Sequence, residues 1–217
     1  MLRIEGLTIG YAGRVVAENL CHNFAAGTLT LLTGRNGSGK STLLRTLAGM
    51  QPPLSPPESI MLAGKPLGNY APRELARLRA VVQTRYESVN LTVQQVVEMG
   101  RAPYRGMARA LRPSDIAAVE KALADCQLTD YAQRSFRLLS DGERQRVMIA
   151  AALAQEAPLL LLDEPSAFLD YEARQQLFTL LRHLADEGRC IICATHDLDM
   201  ARQFTPMEYH LSLQILL

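Results

Sequence analysis

The densest chemistry in the chain lies in Gly34-Arg35-Asn36-Gly37-Ser38-Gly39-Lys40-Ser41-Thr42. The run fits Gly-x-x-x-x-Gly-Lys-[Ser/Thr], and it stands between a strand-like and a helix-like segment, the context in which that pattern binds phosphate. The glycines let backbone N–H groups turn inward around phosphate oxygens. The helix start adds favourable partial charge. Lys40 is placed to bridge the outer phosphates and Ser41 to ligate Mg²⁺. The substrate this chemistry implies is a nucleoside triphosphate with Mg²⁺.

A second group is acidic. The apolar run 159–162, four leucines, ends in Asp163-Glu164. In a parallel sheet, ligands bind beyond the carboxyl ends of strands, so both acids are expected to face the phosphate loop. Asp163 suits Mg²⁺ coordination. Glu164 suits the general base that activates an attacking water. Asp170 can serve as a helix N-cap. His196, in Thr195-His196-Asp197 after another apolar run, stands at the edge of the same expected crevice and is read as a contact to the terminal phosphate. Ser140 and Glu143 have the spacing of a capping box ahead of the apolar run 147–154, and a capped helix N-terminus is an anion site.

These residues need a scaffold of alternating strands and helices. Short apolar stretches at Leu2, Ile4 and at Leu7, Ile9 read as strands, with turn signals at Gly10 and Gly13. Residues 29–32 read as a strand entering the glycine-rich loop, with a helix over 39–48 that stops at Gly49. Residues 51–57 hold four prolines and read as a loop. A short charged helix over 73–79 and a strand over 80–82 follow. Residues 92–154 read as mostly helical, broken near 102–106. A strand over 159–162 with apolar residues on both faces belongs inside a mostly parallel sheet. A helix over 171–186 carries the stripe Leu177, Leu180, Leu181, Leu184. Met207 to Ile215 alternates apolar and polar, the pattern of a strand that can complete the sheet. The order is that of an α/β protein with a helical insertion.

Taken together, the segment Leu139-Ser140-Asp141-Gly142-Glu143-Arg144-Gln145-Arg146 resembles the signature of ATP-binding-cassette ATPases, and it lies between the phosphate loop and the acidic strand as in that family. The resemblance extends over nearly the whole chain: Tyr11, the loop at 34–42, Gln83, the signature, Asp163-Glu164, Leu169-Asp170 and His196. It implies a P-loop NTPase core with a mostly parallel sheet, an N-terminal antiparallel β region and an inserted α-helical subdomain. It also implies one nucleotide-binding domain over 1–217, with the core at 1–83 and 156–217 and the helical subdomain at about 84–155. By the same resemblance Tyr11 stacks on adenine, and Gln83 senses Mg²⁺ and the attacking water. Ser140 and Gly142 contact the γ-phosphate of ATP held by an opposite subunit. Asp170 belongs to the loop crossing the dimer interface and His196 is the switch histidine. ATP and Mg²⁺ are the implied cofactors, and two chains pair head to tail around two ATP. Asp141 stands where glycine is commonest and Glu143 where glutamine is usual. Asp141 is therefore expected to point its side chain away from nucleotide.

Lys and Arg total 23 and Asp and Glu 22, a formal charge of +1, which argues against binding nucleic acid through a global basic field. No apolar run approaches the roughly 18 residues that span a bilayer, and Met1–Glu5 lacks a signal-peptide core, so the chain is expected in the cytosol. Four cysteines fit a reducing compartment. Cys190 and Cys193 form a C-x-x-C, but on a strand they face opposite ways and read as core. The resemblance implies transport through a separate multi-span permease, with a periplasmic or lipoprotein substrate-binding protein in the assembled system. The location implied is peripheral, at the cytoplasmic face of the inner membrane. Gly100-Arg101-Ala102-Pro103-Tyr104 is similar to a segment of cassettes serving iron-siderophore, haem and cobalamin importers. By residues alone it reads as a helix end, with Gly100 as cap and Pro103 as stop. Two rivals stay open: a soluble ABC-type ATPase of DNA repair or translation, and a small-molecule kinase or other phosphate-loop enzyme. The interval from Lys40 to Leu139 carries no long coiled coil, which weighs against repair members.

Overall fold

The computed structural model describes residues 1–83, 89–105 and 110–211. Two sheets meet across a shared core. β1 (Leu2–Tyr11) and β2 (Arg14–Phe24) form an antiparallel hairpin, and β4 (Ile60–Leu62) and β5 (Lys65–Pro66) extend it in the order β2-β1-β4-β5. The second sheet comprises β3 (Thr28–Thr33), β6 (Arg79–Val82), β7 (Leu159–Asp163), β8 (Cys190–Ala194) and β9 (Glu208–His210). Its order is β6-β7-β8-β3-β9, parallel throughout. The hairpin turn uses Gly13 at φ +79°, as its turn signal predicts. Gly10 lies instead within β1. A Cβ there would stand 2.2 Å from the Arg14 carbonyl oxygen, so the glycine serves close approach of the two strands rather than a turn.

Helix α1 (Lys40–Leu47) fills the space between the sheets. Leu43, Leu44 and Leu47 pack with Ile4, Leu7 and Ile9 of β1 and with Leu159, Leu161 and Cys190 of the parallel sheet. The other face of that sheet carries Leu160, Leu162, Ile191 and Cys193 against α3 (Val93–Met99), α5 (Asp141–Ala154) and α6 (Tyr171–Asp186). The strand period of two therefore sends Cys190 and Cys193 into different cores, and both are free thiols. Three further helices are α2 (Pro72–Leu78), α4 (Pro113–Asp125) and α7 (Leu198–Ala201).

Two stretches depart from the sequence reading. Residues 127–140 do not continue a helix. Gln127 takes φ +56°, short 3₁₀ turns occupy Thr129–Tyr131 and Phe136–Leu138, and Leu128, Phe136 and Leu139 are buried singly rather than as a helical stripe. The last strand covers only Glu208–His210, at the sheet edge beside β3. The expected remainder at 212–215 lies outside the described residues. Among the described residues no helix is long and apolar enough to cross a membrane.

Candidate functional site

The loop between β3 and α1 is built on glycines that no other residue replaces easily. Gly34 and Gly39 sit at φ +143° and +100°. A Cβ at Gly34 would meet the Leu211 carbonyl oxygen at 2.5 Å, and one at Gly39 would meet the Val16 side chain at 2.5 Å. Lys40 is buried, and its Nζ donates back to the carbonyls of Gly34 (2.9 Å) and Arg35 (3.4 Å). The Ser38 hydroxyl is buried with no hydrogen-bond partner among the described residues. A buried, unpaired hydroxyl costs free energy unless something supplies a partner, so this orphan fits a bound phosphate oxygen.

The acidic strand arrives where the sequence places it. In-register pairing sets Asp163 beside Ala194, so the ends of β7 and β8 reach the loop together. Ser41 Oγ donates to Asp163 Oδ1 at 3.0 Å, which brings the two expected Mg²⁺ ligands side by side. That pairing of hydroxyl and carboxylate next to a phosphate loop suits a Mg²⁺–nucleotide complex. Glu164 adopts φ +52°, held by its N–H to the Ala194 carbonyl (2.8 Å). Its carboxylate receives the His196 N–H at 3.1 Å and lies 3.1 Å from His196 Nε2. Burial pushes the Glu164 carboxyl above the usual range; the neighbouring His196 opposes this, Asp163 adds to it and Lys40 opposes it. Tyr11 Oη pairs with Thr42 Oγ1 at 3.1 Å, leaving the ring half exposed at the mouth. Tyr11, Asn36, Gly37, Gly39 to Thr42, Glu164 and His196 line one cleft of about 430 Å³. Gln83 stands outside it, its amide donating to Met50 Sδ at 3.4 Å.

Ser140, Asp141, Gly142, Glu143 and Asp170 line a separate cleft of about 610 Å³. The capping box is formed: Ser140 Oγ accepts from the Glu143 N–H (3.3 Å) and Glu143 Oε2 accepts from the Ser140 N–H (2.7 Å). The Ser140 N–H and hydroxyl hold the Glu143 carboxyl below its ordinary range. Asp141 pairs with Arg144 on its own helix at 3.1 Å. Gly142 faces the Phe168 carbonyl so closely that a Cβ would stand 2.9 Å from its oxygen. Asp170 caps α6, accepting from the Ala173 N–H at 2.8 Å. Among the described residues none lines both clefts.

Sequence reasoning missed a connection behind Glu164. Asp197 accepts from Ser166 Oγ at 2.5 Å and from Arg174 Nη1 at 2.9 Å, and Ser166 also pairs with Thr195 at 3.0 Å. Arg174 further donates to the Leu169 carbonyl at 2.8 Å. The cluster locks the loop after Glu164 to the loop bearing His196. Its one sequence signal is that Ser166 and Asp197 flank residues already singled out. Arg14, at the hairpin turn beside Tyr11, also lines the first cleft and was not anticipated.

A parallel sheet with a phosphate loop, two acids at a strand end and a capped signature helix defines an ATP-hydrolysing cassette. The ABC transporter family matches residues 17–167, and the chain belongs to that family. It is 40% identical to the hemin import ATP-binding protein of Streptomyces coelicolor over 92% of its length and 70% of that protein's. It is 37% identical to the iron(3+)-hydroxamate import ATP-binding protein of Bacillus subtilis, over 94% of this chain and 76% of that one. An ATP-binding cassette solved as a dimer in a post-hydrolysis state with ADP and Pi superposes with a TM-score of 0.84 at 25% identity, covering 99% and 97% of the two chains.

Proposed function

We propose that the chain is the ATP-hydrolysing subunit of an importer. In this reading two copies pair head to tail around two ATP and drive a separate membrane permease, for uptake of an iron-siderophore, haem or cobalamin. The observation that supports it is the division of the chemistry into two clefts with no described residue in common. One cleft holds the phosphate loop and Glu164, the other the signature. A chain built this way completes a site only by presenting its signature to a second copy.

In this reading the loop N–H groups of Arg35 to Thr42, Ser38 Oγ and Lys40 bind the phosphates, and Tyr11 stacks on adenine. Ser41, Gln83 and Asp163 would hold Mg²⁺. Bound Mg²⁺ supplies charge neutralisation on the phosphate oxygens. Glu164 takes the proton of the attacking water, and its raised pKa suits a base that works near neutrality. His196 contacts the terminal phosphate. Ser140, Asp141, Gly142 and Glu143 meet the partner's nucleotide through the helix N-terminus, with the Asp141 carboxylate engaged by Arg144. Asp170 reaches across the interface. The core at 1–83 and 156–217 and the helical subdomain at about 84–155 move relative to each other as the dimer closes and hydrolysis reopens it. The importer names of the two relatives support the cargo class. A peripheral position on the cytoplasmic face of the inner membrane and an external substrate-binding protein follow from that reading, with no role for nucleic acid.

The test is purification from detergent-solubilised membranes. Recovery with a multi-span permease supports the proposal. A purely soluble pool bound to ribosomes or DNA sinks it in favour of a repair or translation ATPase. In parallel, Glu164→Gln should bind ATP, dimerise and turn over slowly; wild-type turnover in that variant removes Glu164 as the base.

A further inference from the structure

We infer that Arg101 is a positioning residue for the signature helix: it clamps the far end of α5 and so sets the angle at which Ser140 and Gly142 meet a partner's nucleotide. The inference rests on the two-cleft reading above.

Arg101 is buried, 4% exposed, and its guanidinium is held through Nε and Nη1. Nε donates to Asp115 Oδ1 at 2.9 Å, while Nη1 donates to the Ala154 carbonyl and to Glu156 Oε2, each at 2.7 Å. Ala154 is the last residue of α5, so the cation also sits on the negative end of that helix. The guanidinium lies over the Tyr104 ring, 4.1 Å from its centroid, and Tyr104 Oη donates to the Gln155 carbonyl at 3.0 Å. Asp115 is buried too, and its second oxygen caps α4 by accepting from the Arg112 N–H at 3.0 Å. That backbone bond, and then Arg101, hold its carboxyl below the ordinary range against burial.

The node also reaches α2. Arg73 and Arg77 donate to the Pro103 carbonyl at 2.9 and 3.0 Å, and Gln155 Nε2 donates to the Arg79 carbonyl at 2.6 Å. The end of α5 is thus tied at one point to α2, α4 and the segment after α3. A buried fork of this kind is expensive to assemble and rigid once satisfied, which suits fixing an angle better than adding stability.

The lever is long. Helix α5 has 14 residues, a rod of about 20 Å, with the signature at one end and Arg101 at the other. A tilt of roughly 3° about the clamped end displaces Ser140 by about 1 Å, and misplacement on that scale costs catalytic groups on the order of 10²-fold. The signature makes its contacts only in the closed pair. Loosening the clamp should therefore weaken closure while sparing nucleotide binding at the chain's own phosphate loop.

The experiment uses the whole chain in a Glu164→Gln background, with MgATP as the probe. Dimer formation is followed by analytical ultracentrifugation and single-chain affinity with a fluorescent ATP analogue. Arg101→Met/Asp115→Asn removes the two buried charges together, leaves the exposed Glu156, and keeps an α4 cap acceptor. Arg101→Lys keeps the charge but loses the fork, and serves if the double variant fails to fold. For a folded variant, the dimer dissociation constant should rise at least tenfold, with single-chain affinity within twofold. With Glu164 restored, kcat should fall and KM stay within twofold. A folded variant that dimerises like its parent overturns the inference, as does an equal loss of single-chain affinity. If the Glu164→Gln parent does not dimerise with ATP, the two-cleft reading itself fails and this inference goes with it.

Discussion

Replacing Gly100 by alanine sets two physical effects against each other with opposite signs. Gly100 ends α3 at φ −57° and ψ −24°, an ordinary right-handed helical conformation. Judged locally, alanine should be better there, by about 1 kcal/mol from helix propensity and reduced unfolded-state entropy. The tertiary structure predicts the reverse. A Cβ on Gly100 would stand 2.1 Å from the Ala151 carbonyl oxygen of α5, where ordinary contact is about 3.5 Å. The obstacle is helix backbone, so α3 must retreat from α5 by roughly 1 Å. Overpacking of that kind costs about 1–3 kcal/mol before the local gain is subtracted. The shift also strains the adjoining Arg101 node, so a net loss of about 2 kcal/mol is expected. For a chain of this size that lowers Tm by roughly 4–8 °C. Calorimetry on the purified chain measures it. Gly13→Ala is the control: φ is +79° there but nothing lies within 4 Å of the added Cβ, so only about 1–2 kcal/mol of conformational strain is expected. A Gly100→Ala chain that melts at or above wild type would refute the reasoning, because it would show that the two helices separate without cost.

Three further outcomes follow from the site and the cores. If Glu164 is the base, as proposed, turnover should fall on the acid side with an apparent pKa above the ordinary carboxylate value, because burial raises its pKa. His196→Gln removes the neighbour that opposes that rise, so the acid limb of its residual activity should move to higher pH. A limb that stays in place or moves down argues against Glu164 as the titrating group. Native-state alkylation should label Cys21 alone: burial pushes Cys126 up to about 12 and Cys190 up to about 11, and Cys193 is pushed up further, so a second modified thiol before unfolding contradicts the packing. Leu162→Ala, at a fully buried position of β7 beneath Asp163, should cost about 2–5 kcal/mol in chemical denaturation and lower ATP turnover with it.

What could be read from the sequence divides by how local its cause is. The phosphate loop, the capping box at Ser140 and Glu143, and the Asp170 cap are each fixed by backbone chemistry within a few residues, and all stand where spacing puts them. The opposite-facing cysteines of β8 follow from strand period alone. Gly10 lies within a strand rather than a turn, and Gly100 caps α3 as expected, but at both positions glycine is required by the close approach of another backbone, which spacing does not encode. The helical reading of 92–154 failed over 127–140, where burial of Leu128, Phe136 and Leu139 against distant partners overrides local pattern. The Ser166–Asp197–Arg174 cluster was out of reach for the same reason: it exists only once β7 and β8 lie side by side.

The same distinction separates what this chain holds ready from what it must still rearrange. Lys40 gives its charge to two loop carbonyls, and Glu164 has both carboxylate oxygens engaged by His196. Lys40 and Glu164 are thus satisfied within the chain, whereas the Ser38 hydroxyl is not. In the proposed reading, nucleotide must displace the Lys40 contacts, and the terminal phosphate must draw His196 away before Glu164 can accept a proton from water. Glu164 itself is held in a left-handed conformation by the Ala194 carbonyl, and its loop is braced by Ser166 through Asp197 to Arg174 at the root of α6. Asp170, which caps α6, lies in the signature cleft. In the proposed reading, a second copy seated on that cleft presses on the helix whose arginine braces the loop of Glu164. Ser166, Asp197 and Arg174 link the loop of Glu164 to the signature cleft, which in the proposed reading gives a physical reason for hydrolysis to wait for the pair to close.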